Sequence, residues 1–400
     1  MEPTLYTIVI FSAVLAFYRV YRRWTRFSLA DVPGPEPESF LLGSLPEYFQ
    51  SPVGEADFKW QARYGHVVRV KGILGTDRLL ISDPKALQHM YHSGYNIRKQ
   101  DLRAEVTSVL TGPGLAWAND AAHQRQRRIN SPAFGTADAR SYIPIFAAYA
   151  NVSTCDFMIE AEMLAQMQTI MQAGHETTAT TISWTLFELS QHPDMQAKLR
   201  AEIQDTERAI HARGDTEFKY TDLEAMPYTI AVMKETLRFH PVSQVSTSLL
   251  VLSLLLTRAC IRRFNGVREA ARDEVLPLSK PIILVASIPG YNRNTDVFGP
   301  DAHIFNLERW LDGTVQMTTP LGVYGNLLTF GTGHRACIGW RFAVYEYQSF
   351  LIELAKNFEF SMDPSLANKV LRRAALVMVP TIAGEQEKGP QLPIIIKAAF

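Results

Sequence analysis

Four hundred residues carry 40 basic and 40 acidic side chains, a formal net charge of zero, and 47% of them are hydrophobic. No excess of positive charge favours nucleic acid as a partner, and the length admits either one large domain or about two or three average ones. Cys155, Cys260 and Cys337 are too few and too scattered for a disulfide framework, and no pair has the short spacing of a zinc site, which points to a reducing compartment.

The chain opens with "LYTIVIFSAVLAFYRVYRRWTR", apolar over residues 5–17 and then basic at Arg19, Arg22, Arg23 and Arg26. The run is at the short end for a spanning helix. It has neither the leading positive charge nor the cleavage site of a signal peptide. Arginines behind it hold that side in the cytosol. The reading is an N-terminal transmembrane anchor over 1–20, with a buried core helix as the alternative. A basic, proline-rich hinge follows over 21–38, because "DVPGPEPESF" is stiff and non-helical. Residues 39–400 form the body.

Residues 58–87 mix β-rich runs ("HVVRV", "RLLIS") with turn signals and predict a small sheet. From Glu160 helical periodicity dominates, with Met163, Met167, Ile170, Met171 and Gly174 on one stripe. "AMPYTIAVMKETLRFHP" predicts another helix, stopped by Pro241. Ala343, Tyr347, Phe350, Leu351 and Leu354 repeat the helical spacing near the C-terminus, and the last 26 or so residues predict strands and turns. The fold class is mainly α (α+β), helices with a minor β-sheet.

One turn stands out chemically. In "FGTGHRACIG" (330–339), Gly331 and Gly333 let the backbone bend where side chains would clash. Cys337 lies at the start of a predicted helix, where unpaired amides and the helix dipole favour a thiolate. Arg335 is placed to meet an anion beside it. A lone cysteine can be inert packing, but this set describes a soft axial ligand for a metal that carries its own negative groups, as haem does.

The same residues resemble the cytochrome P450 family. "FGTGHRACIG" matches each fixed position of its haem-binding signature F-x-x-G-x-R-x-C-x-G, from Phe330 to Gly339. "ETLR" (Glu235 and Arg238) resembles the family's E-x-x-R helix. "FNLERW" resembles F-x-P-E-R-W, with Leu307 in place of the proline, and "AGHETT" resembles the oxygen-binding segment. All four stand in family order.

The resemblance implies an axial Cys337 thiolate on haem b. It also implies a buried charge triad of Glu235, Arg238 and Arg309. By spacing alone Glu235 and Arg238 share a helix face, and a solvated pair is the plainer reading. Glu176 and Thr177 would deliver protons for O–O cleavage, and a helix kink with surface threonines is the alternative. "HQRQRR" reads by itself as a solvated basic face. In the family's frame His123 and Arg127 would clamp the haem propionates, with Arg268 as a further partner.

The chain departs from the family's length in three places. Several central helices, including the roof of the substrate pocket, find only residues 135–159 to represent them, and 247–266 is an insertion. Between "LPLSKPI" and "PGYNRN", where the family has a β-hairpin, stands only the short run around "ILVAS". The expected protein is a haem-thiolate monooxygenase acting on a lipophilic small molecule such as a terpenoid, steroid or other secondary metabolite. Its electrons would come from an NADPH-cytochrome P450 reductase, since the chain has no dinucleotide fingerprint of its own. It would be a single-pass protein of the endoplasmic reticulum membrane, with the catalytic body cytosolic and no nucleic-acid partner. A catalytically impaired remnant and a reductase-independent isomerase are the alternatives, and the Glu176–Thr177 pair argues against the isomerase.

Overall fold

The structure is a computed structural model that describes residues 29–99, 101–135, 160–243, 245–250, 282–313, 315 and 319–399. The expected anchor, residues 21–28 of the hinge, Arg268, and nearly all of 135–159 lie outside the described residues. Among the described residues, no helix is long and apolar enough to cross a membrane.

The N-terminal part alternates helix and strand: α1 (Leu45–Gln50), α2 (Glu55–Tyr64), β1 (Val67–Lys71), β2 (Asp77–Ile81), α3 (Pro84–His92), β3 (Ile97–Lys99), α4 (Asp101–Thr111) and α5 (Asp120–Asn130). The sheet expected over 58–87 is present as the β1–β2 hairpin, although Phe58 itself lies in α2. Asp83 starts α3 by accepting a hydrogen bond from the Ala86 N–H at 2.7 Å, ahead of Pro84 at the first helical position.

The helical part comprises α6 (Glu160–Gln191), α7 (Pro193–Ala212), α8 (Tyr220–Glu224) and α9 (Pro227–Phe239). After it come β4 (Val245–Leu250), β5 (Ile282–Ser287) and the short helices α10 (Ile288–Asn292), α11 (Thr295–Phe298) and α12 (Glu308–Leu311). Helix α13 (Trp340–Asn357), β6 (Phe358–Ser361), α14 (Pro364–Ala367), β7 (Val370–Ala374), β8 (Met378–Ile382) and β9 (Ile395–Ala398) complete the chain, so the expected C-terminal strands are present.

Helices α6, α7, α9 and α13 pack on one another. Leu189, Leu199, Ile203, Met233 and Leu351 fill their shared core. The largest sheet runs β1-β2-β5-β4-β3, and only the β2–β5 pair is parallel. Thr247 to Leu250 at the head of the expected insertion therefore pair within this sheet, and residues 251–281 lie outside the described residues. An edge-to-edge ladder on both sides of β4 absorbs its backbone groups, which ties the start of this stretch into the fold.

Candidate haem-binding site

Glu235 and Arg238 sit one turn apart on α9 and are fully buried. Arg238 Nε and Nη2 donate to the two Glu235 carboxylate oxygens at 2.8 and 2.7 Å. Its remaining donors reach the carbonyls of Asn292, Ala302 and Ile304. Arg309 on α12 donates from Nε to Glu235 Oε1 at 3.2 Å. The expected triad is thus assembled, and the structure adds members the motifs did not reveal. Asp301 takes two hydrogen bonds from Arg309 at 3.0 and 2.9 Å. Glu235 also accepts from the Asn306 N–H at 2.7 Å and from Trp310 Nε1 at 2.8 Å. Burial works against the Asp301 carboxylate, but Asn306 and Arg309 hold its pKa below the ordinary value. Two carboxylates against two guanidiniums leave the cluster neutral, which is what makes its burial tolerable.

Hydrogen bonds carry this framework to the cysteine turn. The Asn292 carbonyl accepts from Arg238 at 3.0 Å, and its side chain accepts from the Leu328 N–H and donates to Thr329 Oγ1, both at 2.9 Å. Thr329 in turn donates to the Leu237 carbonyl on α9. One residue on, the Phe330 carbonyl accepts from the Cys337 N–H at 2.7 Å and closes the turn. Gly333 has φ +67, and a Cβ there would lie 2.5 Å from the Tyr91 carbonyl. Its space is therefore taken by α3 rather than by a ligand.

Cys337 is solvent-exposed, yet burial raises its thiol pKa, with the Gly339 N–H and the Arg127 charge acting in the opposite direction. The residue is exposed over part of its surface, while the protein packed around the sulfur still disfavours the thiolate. Helix α13 begins only at Trp340, and desolvation outweighs the favourable contacts. A metal at the sulfur would displace the proton outright.

Around this turn gather the other expected residues. Arg127 Nη1 donates to the Ala336 carbonyl at 2.6 Å, tying α5 to the turn. Arg335 Nη2 donates to Asn119 Oδ1 at 3.1 Å. His123 is buried, and its pKa falls to about 3 through burial, then through the charges of Arg335, Lys99, Arg127 and His334. Lys99 and Tyr95 were not foreseen. Lys99 Nζ binds the Leu115, Ala116 and Ala118 carbonyls, and Tyr95 OH is 2.8 Å from His123 Nδ1. Neither carries a motif, so local sequence held no signal for them.

The structure leaves Glu176 and Thr177 apart from this group. Thr177 Oγ1 donates to the Ala173 carbonyl at 2.6 Å, a bond back to the preceding turn, while α6 runs on unbroken and Glu176 is exposed. Gly174 faces open space, and a Cβ there would meet nothing within 4 Å. Among the described residues, no hydrogen bond or ion pair joins this segment to the Cys337 group, although α13 packs against α6.

The family model for cytochrome P450 matches residues 152–382. The chain belongs to the cytochrome P450 family. The match takes in Glu176, Thr177, the charge cluster and the cysteine turn, whereas His123 and Arg127 precede it. Cytochrome P450 monooxygenase 128 of Postia placenta is 32% identical over 256 residues, covering 60% of this chain and 42% of that protein. Cytochrome P450 monooxygenase claW of Ampulloclitocybe clavipes is 23% identical over 553 residues, covering 98% of this chain and 96% of that protein. A ganoderic acid synthetase of Ganoderma lucidum is 31% identical over 259 residues, 60% of this chain and 43% of that protein. The strongest local matches thus span under half of those relatives' length, and the family is one of oxidoreductases.

The residues present fit the cytochrome P450 cofactor. Arg335 Nε and His334 Nε2 are buried without a protein hydrogen bond among the described residues. Asp120, which acts on Arg335, is itself paired with Arg98 at 2.9 Å. Burial lowers the pKa of both Arg127 and Arg335, so each gains from an added anion. A soft sulfur beside under-neutralised guanidiniums is the donor set that a haem with two carboxylates needs.

Proposed function

We propose that the chain is a haem-thiolate monooxygenase that places one oxygen atom of O2 into a lipophilic small molecule, fed by an NADPH-cytochrome P450 reductase at the endoplasmic reticulum membrane. The observation that carries this reading is the exposed Cys337 in a turn tied to Arg127, whose charge acts with that of Arg335 on the buried His123. Haem b, when bound, supplies the electron transfer and oxygen activation. Cys337 is then the iron ligand. Arg335, Arg127 and His123 bind the carboxylates, and Arg268 is a further candidate for that role. Phe330, which packs edge-on to Tyr324, is a further candidate for contact with the cofactor. Thr177 and the exposed Glu176 hold and pass protons along the open face of α6. The relative named for ganoderic acid synthesis supports a small-molecule substrate.

A second reading, an impaired member of the family, is favoured by one observation. Met163, Leu164, Met167 and Met171 leave a continuous apolar face of α6 exposed.

The ferrous carbonyl difference spectrum of the full chain decides between them. A red-shifted Soret band, abolished by Cys337→Ser and kept on replacing Cys155, supports the enzyme reading. A band that survives Cys337→Ser identifies the wrong ligand, and a chain with no band is the impaired form. NADPH-dependent product with added reductase then separates a monooxygenase from an isomerase.

A further inference from the structure

Tyr95 lies in the short turn Gly94–Asn96 between α3 and β3, far in sequence from both α5 and the cysteine turn, yet it touches three members of the anion-binding group. Its hydroxyl is 2.8 Å from His123 Nδ1. Its ring lies against that of His334, tilted by 48° with centroids 4.2 Å apart. The Arg335 guanidinium carbon sits 5.2 Å from the ring centroid.

His123 is buried among Arg335, Lys99 and Arg127, so it stays neutral, and a neutral imidazole has one donor and one acceptor nitrogen. Burial likewise keeps the Tyr95 phenol protonated. A phenol is a better donor than an imidazole N–H, and an imidazole lone pair is a better acceptor than a phenol oxygen. The 2.8 Å contact therefore runs from Tyr95 OH to Nδ1, which leaves the ring proton on Nε2.

We infer that Tyr95 is a positioning residue: its hydroxyl fixes His123 in the tautomer whose Nε2–H can donate to a haem carboxylate, while its ring holds the Arg335 guanidinium and His334. The inference rests on the haem-thiolate reading. Tyr95→Phe keeps the ring contacts and removes only the tautomer lock. The buried Nδ1 then loses its donor and the imidazole is free to turn over.

The test is a double-mutant cycle on haem loss, followed by transfer from the full-length haem-loaded chain to excess apomyoglobin. Tyr95→Phe should speed haem loss about fivefold, the worth of one hydrogen bond. In a His123→Ala background the same substitution should add less than about 1.5-fold, because its effect runs through His123. Equal effects in the two backgrounds, no effect in either, or a His123→Ala chain that keeps haem like the parent would each overturn the inference. The 15N shifts of His123 in the unsubstituted ferrous carbonyl form read the tautomer without any variant, and a proton on Nδ1 overturns it too. A parent chain with no thiolate carbonyl band removes the haem reading and this inference together. A parent with the band but an additive cycle removes this inference alone.

Discussion

Helix α6 is one uninterrupted helix with two unlike halves. In the first, Met163, Leu164 and Met167 are each about half exposed, and Met171 is 73% exposed. In the second, Trp184 and Leu189 are 1% exposed, and even Glu188 is buried. Both halves are apolar at helical spacing, so the period does not distinguish them. The difference lies in what packs against each. The second half meets α9 and α13 and, through Trp184 Nε1, the Met378 carbonyl on β8 at 3.0 Å. The first half meets α4 and the turn after it, where Gly112 and Gly114 lie against Ala165, and Leu115 N–H reaches Gln166 Oε1 at 3.1 Å. An amphipathic stripe thus states that a face is apolar, and only the partner decides whether it is buried.

The covered region should break hardest. Glu235→Ala would leave Arg238 and Arg309 buried with their central carboxylate gone. Removing one partner of such a group costs about 3–5 kcal/mol, against a whole-domain stability of about 5–15 kcal/mol. Urea unfolding followed by far-UV circular dichroism should show that loss, and one below about 1 kcal/mol would mean that Asp301 and the surrounding carbonyls suffice for both guanidiniums.

A milder break comes from pH. Glu188 on the covered half is 2.6 Å from His240 Nε2, and His240 stacks on Trp184 at 4.3 Å. Burial raises the Glu188 pKa to about 8, against the opposing charges of Arg293 and Arg372, while Glu235 adds to the rise. Burial, with Arg372, Arg293 and Arg238, holds His240 well below its ordinary pKa. At neutral pH the pair is therefore an undissociated acid on a neutral imidazole. A carboxyl that is protonated when folded and ionised when unfolded favours folding below the unfolded pKa, and that contribution is lost as pH rises toward about 8. Glu188→Gln removes this dependence. Parent and variant should be alike near pH 5, and the variant should be the more stable by about 2 kcal/mol near pH 8, a value discounted for the shared proton. A constant difference across that range would show that Glu188 stays ionised in the fold.

The same contrast marks what the sequence could and could not disclose. The cysteine turn, the E-x-x-R pair and Arg309 were legible because each lies in a short motif whose residues keep fixed offsets. Asp301 joins the cluster through Arg309 from outside every motif. Asn306 and Trp310 lie within a motif that does not disclose their bonds to Glu235. Tyr95 and Lys99 reach the site from a short turn and the edge strand that follows it. No periodicity encodes such contacts. The helix over Ala343 to Leu354 was legible too, but its faces were not. Leu351 is fully buried, while Phe350 beside it is 54% exposed. The strand β4 was missed for a related reason: its hydrogen-bond partners, β3 and β5, come from distant parts of the chain.

Thr177 stands where the two halves of α6 meet. Thr177→Ala removes one back-bonded hydroxyl from a helix that is continuous without it, so stability should change by less than about 1 kcal/mol. The carbonyl spectrum should be unchanged. In a reductase-reconstituted assay, product per NADPH should fall and peroxide should rise. Unchanged coupling would reduce Thr177 to a helix residue with no part in proton delivery.

The smallest effect belongs to the open half. Burying a large apolar side chain is worth about 1.5–3 kcal/mol, so a residue that contributes to a core announces itself when made polar. Met163 and Met167 sit one turn apart, each about half exposed, and α4 touches the helix on the Ala165 side instead. The double substitution Met163→Gln and Met167→Gln therefore removes little burial, and glutamine matches methionine in length and helix propensity. The unfolding midpoint in urea should move by no more than about 0.5 kcal/mol of stability, the range of ordinary surface changes. Removing two adjoining thioethers from an apolar surface patch should also raise solubility. A loss above about 1.5 kcal/mol would mean that this face is covered in solution and that the two halves of α6 are alike after all.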